Sequence, residues 1–196
     1  MLAFKIAYWV GVIAQIAIRA PFSKAWQSGQ KTTQRISLIE KVLLGLLMVG
    51  NLIIPLIFSV TGWLDFANYS LPAWMGWLGV FLFACGLFIF ARSHIDLKSN
   101  WSPSLEIRKD HTLVTNGIYR YVRHPMYASQ WVSALAQILL LQNWLAGPIS
   151  LIVFIPSYLL RVRAEEKMML DTFGDQYREY MKKVGGVIPK WPAHHD

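Results

Sequence analysis

The chain contains one cysteine, Cys85, and it lies inside an apolar run. A single thiol excludes an internal disulfide framework and a thiolate metal cluster, and reads as a small packing residue. Charge is scarce too: 15% of the 196 residues are charged, against about 25% in an ordinary soluble domain. The signatures of several soluble chemistries are missing. No G-x-G-x-x-G follows a strand pattern, and there is no P-loop, no H-E-x-x-H and no G-x-S-x-G. The five histidines, His94, His111, His124, His194 and His195, include no pair at the three- or four-residue spacing of a helical metal site, so metal catalysis is not expected. The net charge of +8 raises the question of nucleic acid. The basic residues stand between long apolar runs, however, and form no aromatic-interleaved patch, so no nucleic-acid module is expected.

What is abundant is apolar surface. Hydrophobic residues make up 55% of the chain, with nine tryptophans and ten phenylalanines, the profile of an integral membrane protein. A bilayer core of roughly 30 Å calls for about 20 apolar residues in a helix. Five stretches approach that length: about Leu2–Ala20, Ile39–Val60, Pro72–Ala91, Met126–Leu141 and Trp144–Leu160. The first is interrupted by Lys5 and followed by Pro21, which suits a retained anchor better than a cleaved leader. Only Gln142 and Asn143 separate the fourth stretch from the fifth, which predicts a tight helical hairpin. Pro55 and Pro156 lie inside spans and predict local kinks.

Of 19 basic residues, only Lys5 falls on the side opposite the rest when five spans alternate. The positive-inside rule then predicts an external N-terminus and a cytoplasmic C-terminus. Beyond the last span, Leu170, Phe173, Tyr177, Tyr180 and Val184 recur at three- and four-residue spacing. They predict an amphipathic helix, open to interruption at Gly174, that lies on the membrane surface or folds over the third loop. The expected fold class is therefore all-α, a polytopic membrane protein of about five spans with an amphipathic C-terminal helix. No repeat divides it, so residues 1–196 are expected to form one membrane domain.

Three polar clusters sit on the predicted cytoplasmic side: HTLVTNGIY (His111–Tyr119), RHPMY (Arg123–Tyr127) and RVRAEE (Arg161–Glu166). Pro125 fits the first turn of a helix, and His124 before it is driven toward extended backbone. His124 should thus mark the start of the fourth span. A helix start of this kind suits an anion, and the same residues also suit a headgroup anchor. Arg161 and Glu165, four apart, share a helix face, while Arg163 and Glu166 point elsewhere. An ordinary helical ion pair and a charged lining of a cavity are both open for them.

The run HTLVTNGIYRYVRHPMY, followed about 35 residues later by RVRAEEKMMLDTFGDQYREY and then VIP, resembles the isoprenylcysteine carboxyl methyltransferase family. The phospholipid N-methyltransferases share a looser form. The likeness covers about residues 104–189; the first three spans carry no recognised motif. It implies an integral membrane enzyme that transfers a methyl group from S-adenosylmethionine, leaving S-adenosylhomocysteine, to the carboxylate of a prenylated cysteine or a similar lipophilic acceptor. Five spans would suit the compact prokaryotic type. The resemblance also implies roles. His111, Thr112, Leu113 and Val114 would line the cofactor pocket with Tyr119, and His124, Pro125, Met126 and Tyr127 would close its other side. Glu165 would hold the cofactor, and Arg161 would meet the acceptor's carboxylate. The alternatives are amine methylation of phosphatidylethanolamine, an NADPH-dependent membrane reductase and a non-enzymatic scaffold.

Overall fold

Pro55 shapes the second span. In a computed structural model that describes residues 2–27, 38–102 and 112–190, helix α2 (Leu38–Met48) passes through a π-helical turn (Val49–Ile53) into α3 (Ile54–Val60). Proline carries no N–H, so carbonyls one turn earlier lose their donor, and lipid supplies no replacement. The carbonyls of Gly50 and Asn51 instead accept from Gln137 Nε2 at 3.1 Å and the Tyr8 hydroxyl at 2.7 Å. Ser150 Oγ donates to Asn51 Oδ1 at 2.9 Å. The two carbonyls freed by the proline, with the Asn51 side chain, thereby tie four helices together at mid-bundle: α1 (Leu2–Gln27), the α2–α3 span, α5 (Pro125–Leu141) and α6 (Ile149–Phe173).

Helix α4 (Ala73–Leu97) packs most extensively on α5. Small residues permit the approach: a Cβ on Gly86 would stand 2.7 Å from Ser133 Oγ. Tyr8, Val12, Phe58, Phe83, Leu140 and Leu141 fill the core beside this contact. Ile6, Val10, Trp77, Phe81, Phe88 and Ile152 remain exposed on the outside, the inverse of a soluble bundle and the expected form of a lipid-facing surface. Residues 2–26, 38–60 and 73–97 are long and apolar enough to cross a membrane. The fold is all-α and membrane-embedded, with no strand among the described residues.

The hairpin expected at Gln142–Asn143 is longer than predicted. Trp144–Pro148 belong to the turn, and α6 starts at Ile149 rather than Trp144. The reason is Asn143, which is fully buried. Its Nδ2 donates to the Leu64 carbonyl at 2.7 Å and to Asn68 Oδ1 at 3.0 Å, while its Oδ1 accepts from the N–H groups of Leu145 and Ala146. Four bonds from one amide hold a compact turn where a helix would otherwise begin. At the opposite, basic end, α4 runs on to Leu97, six residues past the predicted boundary at Ala91.

The tail folds over the third loop. Gly174 stops α6 at φ +51°, a backbone angle that suits glycine, and α7 (Asp175–Lys183) follows. Tyr177, Tyr180 and Val184 pack against Leu113, Met169, Leu170 and Phe173. The N–H groups of Arg123 and His124 then donate to the carbonyls of Gly185 and Gly186 at 2.8 and 3.0 Å. The chain beyond α7 thus clamps the residues that lead into α5.

Candidate active site

The third loop is fixed by Asp96 in the last turn of α4 and by Asn100 just beyond it. Gly117 takes φ +58°, and the next N–H, of Ile118, donates to Asp96 Oδ2 at 2.7 Å. Arg92 holds the other oxygen of Asp96 at 2.8 Å. Asn100 Nδ2 donates to Thr112 Oγ1, and Asn100 Oδ1 accepts from the Thr112 N–H. The Tyr180 hydroxyl donates to the Tyr119 carbonyl. Burial holds the Tyr119 phenol well above its ordinary pKa, with Glu165, Tyr180 and Asp96 adding to the rise, so it stays protonated.

The start of α5 is pinned to α6 through Glu166. His124 is the cap residue ahead of Pro125, as the sequence predicts. Its Nε2 donates to Glu166 Oε1 at 3.0 Å, and Arg123 Nη2 donates to the same oxygen at 2.6 Å. Arg123 Nη1 donates to the carbonyls of Met181 and Val184. The His124 bond and then the Arg123 guanidinium pull the Glu166 carboxyl down to a pKa of about 2. Glu166 points away from the face shared by Arg161 and Glu165, as the spacing predicts, and the direction it takes is toward this cluster, because one position beyond Glu165 on the helix faces α5 and the tail.

Arg161 has a partner that spacing along α6 does not reveal. Its Nη1 donates to Glu40 Oε1 at 3.1 Å, with the two side chains 16% and 15% exposed, and its Nε lies 3.5 Å from the Tyr127 hydroxyl. Glu40 stands at the start of α2, 121 residues away. It is the sole acidic residue in the first sixty, the one signal that could have found it.

These elements enclose a cavity of about 450 Å³, within the common range for small-molecule sites, roughly 300–1,000 Å³. Thr112, Leu113, Val114, Tyr119, His124, Pro125, Met126, Tyr127, Arg161 and Glu165 all line it. Two neighbouring segments, one in the third loop and one at the start of α5, and a distant one on α6 thus meet on one space. His111 lies outside the described residues. The apolar part of the lining, its oily arm, is supplied by Val12 and Ile16 of α1, Leu44 and Leu47 of α2, and Phe154 of α6. The sequence reading missed Arg19, His94, Asn100 and Trp101, which line the same space. Arg19 lies over the Trp101 ring at 5.4 Å, and His94 Nδ1 is 2.9 Å from the Phe90 carbonyl. Their long separation in sequence hid them. Among the described residues no three His, Cys, Asp or Glu gather as a metal site.

The space has two chemistries: a charged, hydrogen-bonding end and an oily arm. Residues 77–171 match the model of the isoprenylcysteine carboxyl methyltransferase (ICMT) family. A protein-S-isoprenylcysteine O-methyltransferase of Schizosaccharomyces pombe is 42% identical over 84 residues, which is 43% of this chain and 36% of that protein. The protein of the same name from Tribolium castaneum is 29% identical over 142 residues, 68% of this chain and 50% of its own length. The chain thus spans half or less of the length of these curated relatives. The solved structure of the eukaryotic intramembrane Ras methyltransferase ICMT, without a monobody, superposes with a TM-score of 0.51 at 23% identity, over 80% of this chain and 54% of that one. That likeness shows the fold.

Proposed function

We propose that this chain, which carries the ICMT family's pattern over residues 77–171, is an intramembrane methyltransferase that esterifies the carboxylate of a lipophilic, prenylcysteine-like acceptor with S-adenosylmethionine as donor. The observation that carries the reading is the convergence of Thr112–Val114, His124–Tyr127, Arg161 and Glu165 on one cavity whose lining is in part charged and in part apolar. The basic end faces the cytosol, by the distribution of lysine and arginine. A charged, water-soluble donor reaches the polar end from there, and an oily tail reaches the arm from between the helices.

The residues at the polar end fit the donor's chemistry. Glu165 offers a carboxylate to its ammonium and sulfonium charge. Thr112, Leu113, Val114 and Tyr119 form one wall, and His124, Pro125, Met126 and Tyr127 the other, with the free N–H groups of α5 beside His124 suited to the donor's carboxylate. S-adenosylmethionine held there would supply an electrophilic methyl carbon, and its transfer to an acceptor carboxylate oxygen would form a C–O bond as the C–S bond breaks and leaves its electron pair on sulfur. A carboxylate is already ionised at neutral pH, so the chain need not remove a proton. Its work is positioning and exclusion of water. Arg161 holds the acceptor carboxylate through its planar fork, and Tyr127 steadies the guanidinium from Nε. An amine acceptor would need a free base, and the His124 nitrogen seen here is engaged by Glu166. The names of the relatives also favour O-methylation over N-methylation or nicotinamide reduction.

The test is direct. The purified chain is given methyl-labelled S-adenosylmethionine and a small farnesylated cysteine analogue, and the product is treated with base. Release of volatile labelled methanol is expected. A base-stable methyl product, or no transfer with retained lipid binding, would overturn the reading.

A further inference from the structure

Glu40 presents to Arg161 the same functional group that the acceptor is assigned to present. We infer that Glu40 is an internal stand-in for the acceptor carboxylate, occupying Arg161 when the site lacks an acceptor and competing with the methyl ester for its place after transfer. The inference deepens the proposed function and rests on its assignment of Arg161.

Three observations carry it. First, Glu40 Oε1 lies 3.1 Å from Arg161 Nη1, and both side chains are largely buried. A guanidinium withdrawn from water needs a counter-charge, and Glu40 supplies one in the free protein. Second, Glu40 sits on the helix that lines the oily arm: Leu44, Leu47 and Met48, at one- and two-turn spacing from it, face the cavity. The Glu40–Arg161 pair therefore joins α2 to α6 where the arm meets the charged end. Third, Tyr127 contacts Arg161 at Nε while Glu40 contacts Nη1. The guanidinium is held in orientation from one edge and offers another edge to a carboxylate.

The consequence is a discrimination between acid and ester. An acceptor that brings a carboxylate replaces one ion pair with another and adds burial of its tail, so it can displace Glu40. The ester formed by transfer has no charge with which to hold the guanidinium. Glu40 can then reclaim Arg161, and the product is pushed toward release. A lipid lacking a carboxylate would meet the same barrier on arrival. Glu40 is thus a specificity-determining residue and makes no contact with the transferred carbon.

The experiment compares the wild-type chain with Glu40→Gln and Glu40→Asp. It measures acceptor KM and kcat, inhibition by the farnesylcysteine methyl ester, and S-adenosylhomocysteine affinity by calorimetry as a check on folding. For Glu40→Gln, acceptor KM should fall about three- to tenfold without a rise in kcat, and the ester should inhibit more strongly by a similar factor. Glu40→Asp, one methylene shorter, should lie between. If Glu40 instead serves only to orient Arg161, Glu40→Gln raises acceptor KM and leaves ester inhibition unmoved; that result overturns the inference. Should Glu40→Gln lose S-adenosylhomocysteine binding, Glu40→Asp decides alone, with an unchanged or raised KM counting against. Absence of ester formation by wild type would instead bring down the proposed function, a distinguishable failure.

Discussion

Glu166→Gln removes the charge that fastens α5 and the tail to α6, and the size of the effect follows from the site. The fall of the Glu166 pKa from 4.5 to about 2 corresponds to roughly 3.4 kcal/mol, at about 1.4 kcal/mol per pH unit. The side chain is 24% exposed, and solvent screening brings the expected loss to about 2 kcal/mol. In a chain of this size that is a drop in Tm of about 4–8 °C. The direction with pH is fixed by the sign. A carboxylate whose pKa is depressed on folding contributes fully above its unfolded value and loses that contribution as pH falls toward the folded one. The difference between wild type and Glu166→Gln should therefore shrink, at pH 3, to less than about half of its size at pH 5. Thermal unfolding of the detergent-solubilised protein, followed by circular dichroism at both pH values, measures it. A Tm difference below about 1 °C at pH 5, or one that does not narrow at pH 3, would refute the reasoning.

Arg161→Lys keeps the charge and loses the fork, so acceptor KM should rise about tenfold or more while S-adenosylhomocysteine affinity stays within about twofold; Glu165→Gln should show the reverse pattern. Steady-state kinetics and calorimetry separate the two. Asn143→Ala strands the Leu64 carbonyl, Asn68 Oδ1 and the N–H groups of Leu145 and Ala146, and should cost about 2–4 kcal/mol in unfolding experiments. Tyr8→Phe leaves the Asn51 carbonyl without its donor and should cost about 1 kcal/mol. Pro55→Ala restores a backbone N–H to that turn, so the cost of Tyr8→Phe in a Pro55→Ala background should fall by half or more, as read from a double-mutant cycle.

The amino-acid sequence by itself determined the elements and the chemistry of the walls. Apolar runs of about 20 residues and the proline at 125 fix where helices lie, because a backbone in lipid can satisfy itself in few other ways. Gly174 broke the tail where the periodicity allowed a break. The residues from Thr112 to Tyr127 and the pair Arg161 and Glu165 were singled out by short local patterns and by the family resemblance those patterns carry, and the fold brings them to one cavity. The tertiary structure decided which of them share a space and which carboxylate serves which cation. Glu40 reaches Arg161 from 121 residues away, Glu166 rather than Glu165 binds His124, and Asn143 turns an expected two-residue hairpin into a longer one. Spacing along one helix reports only neighbours three or four positions away. An ion pair between helices depends on their rotation and approach, which are set by the packing of Tyr8, Phe83 and Leu140 and by the orphaned carbonyls behind Pro55.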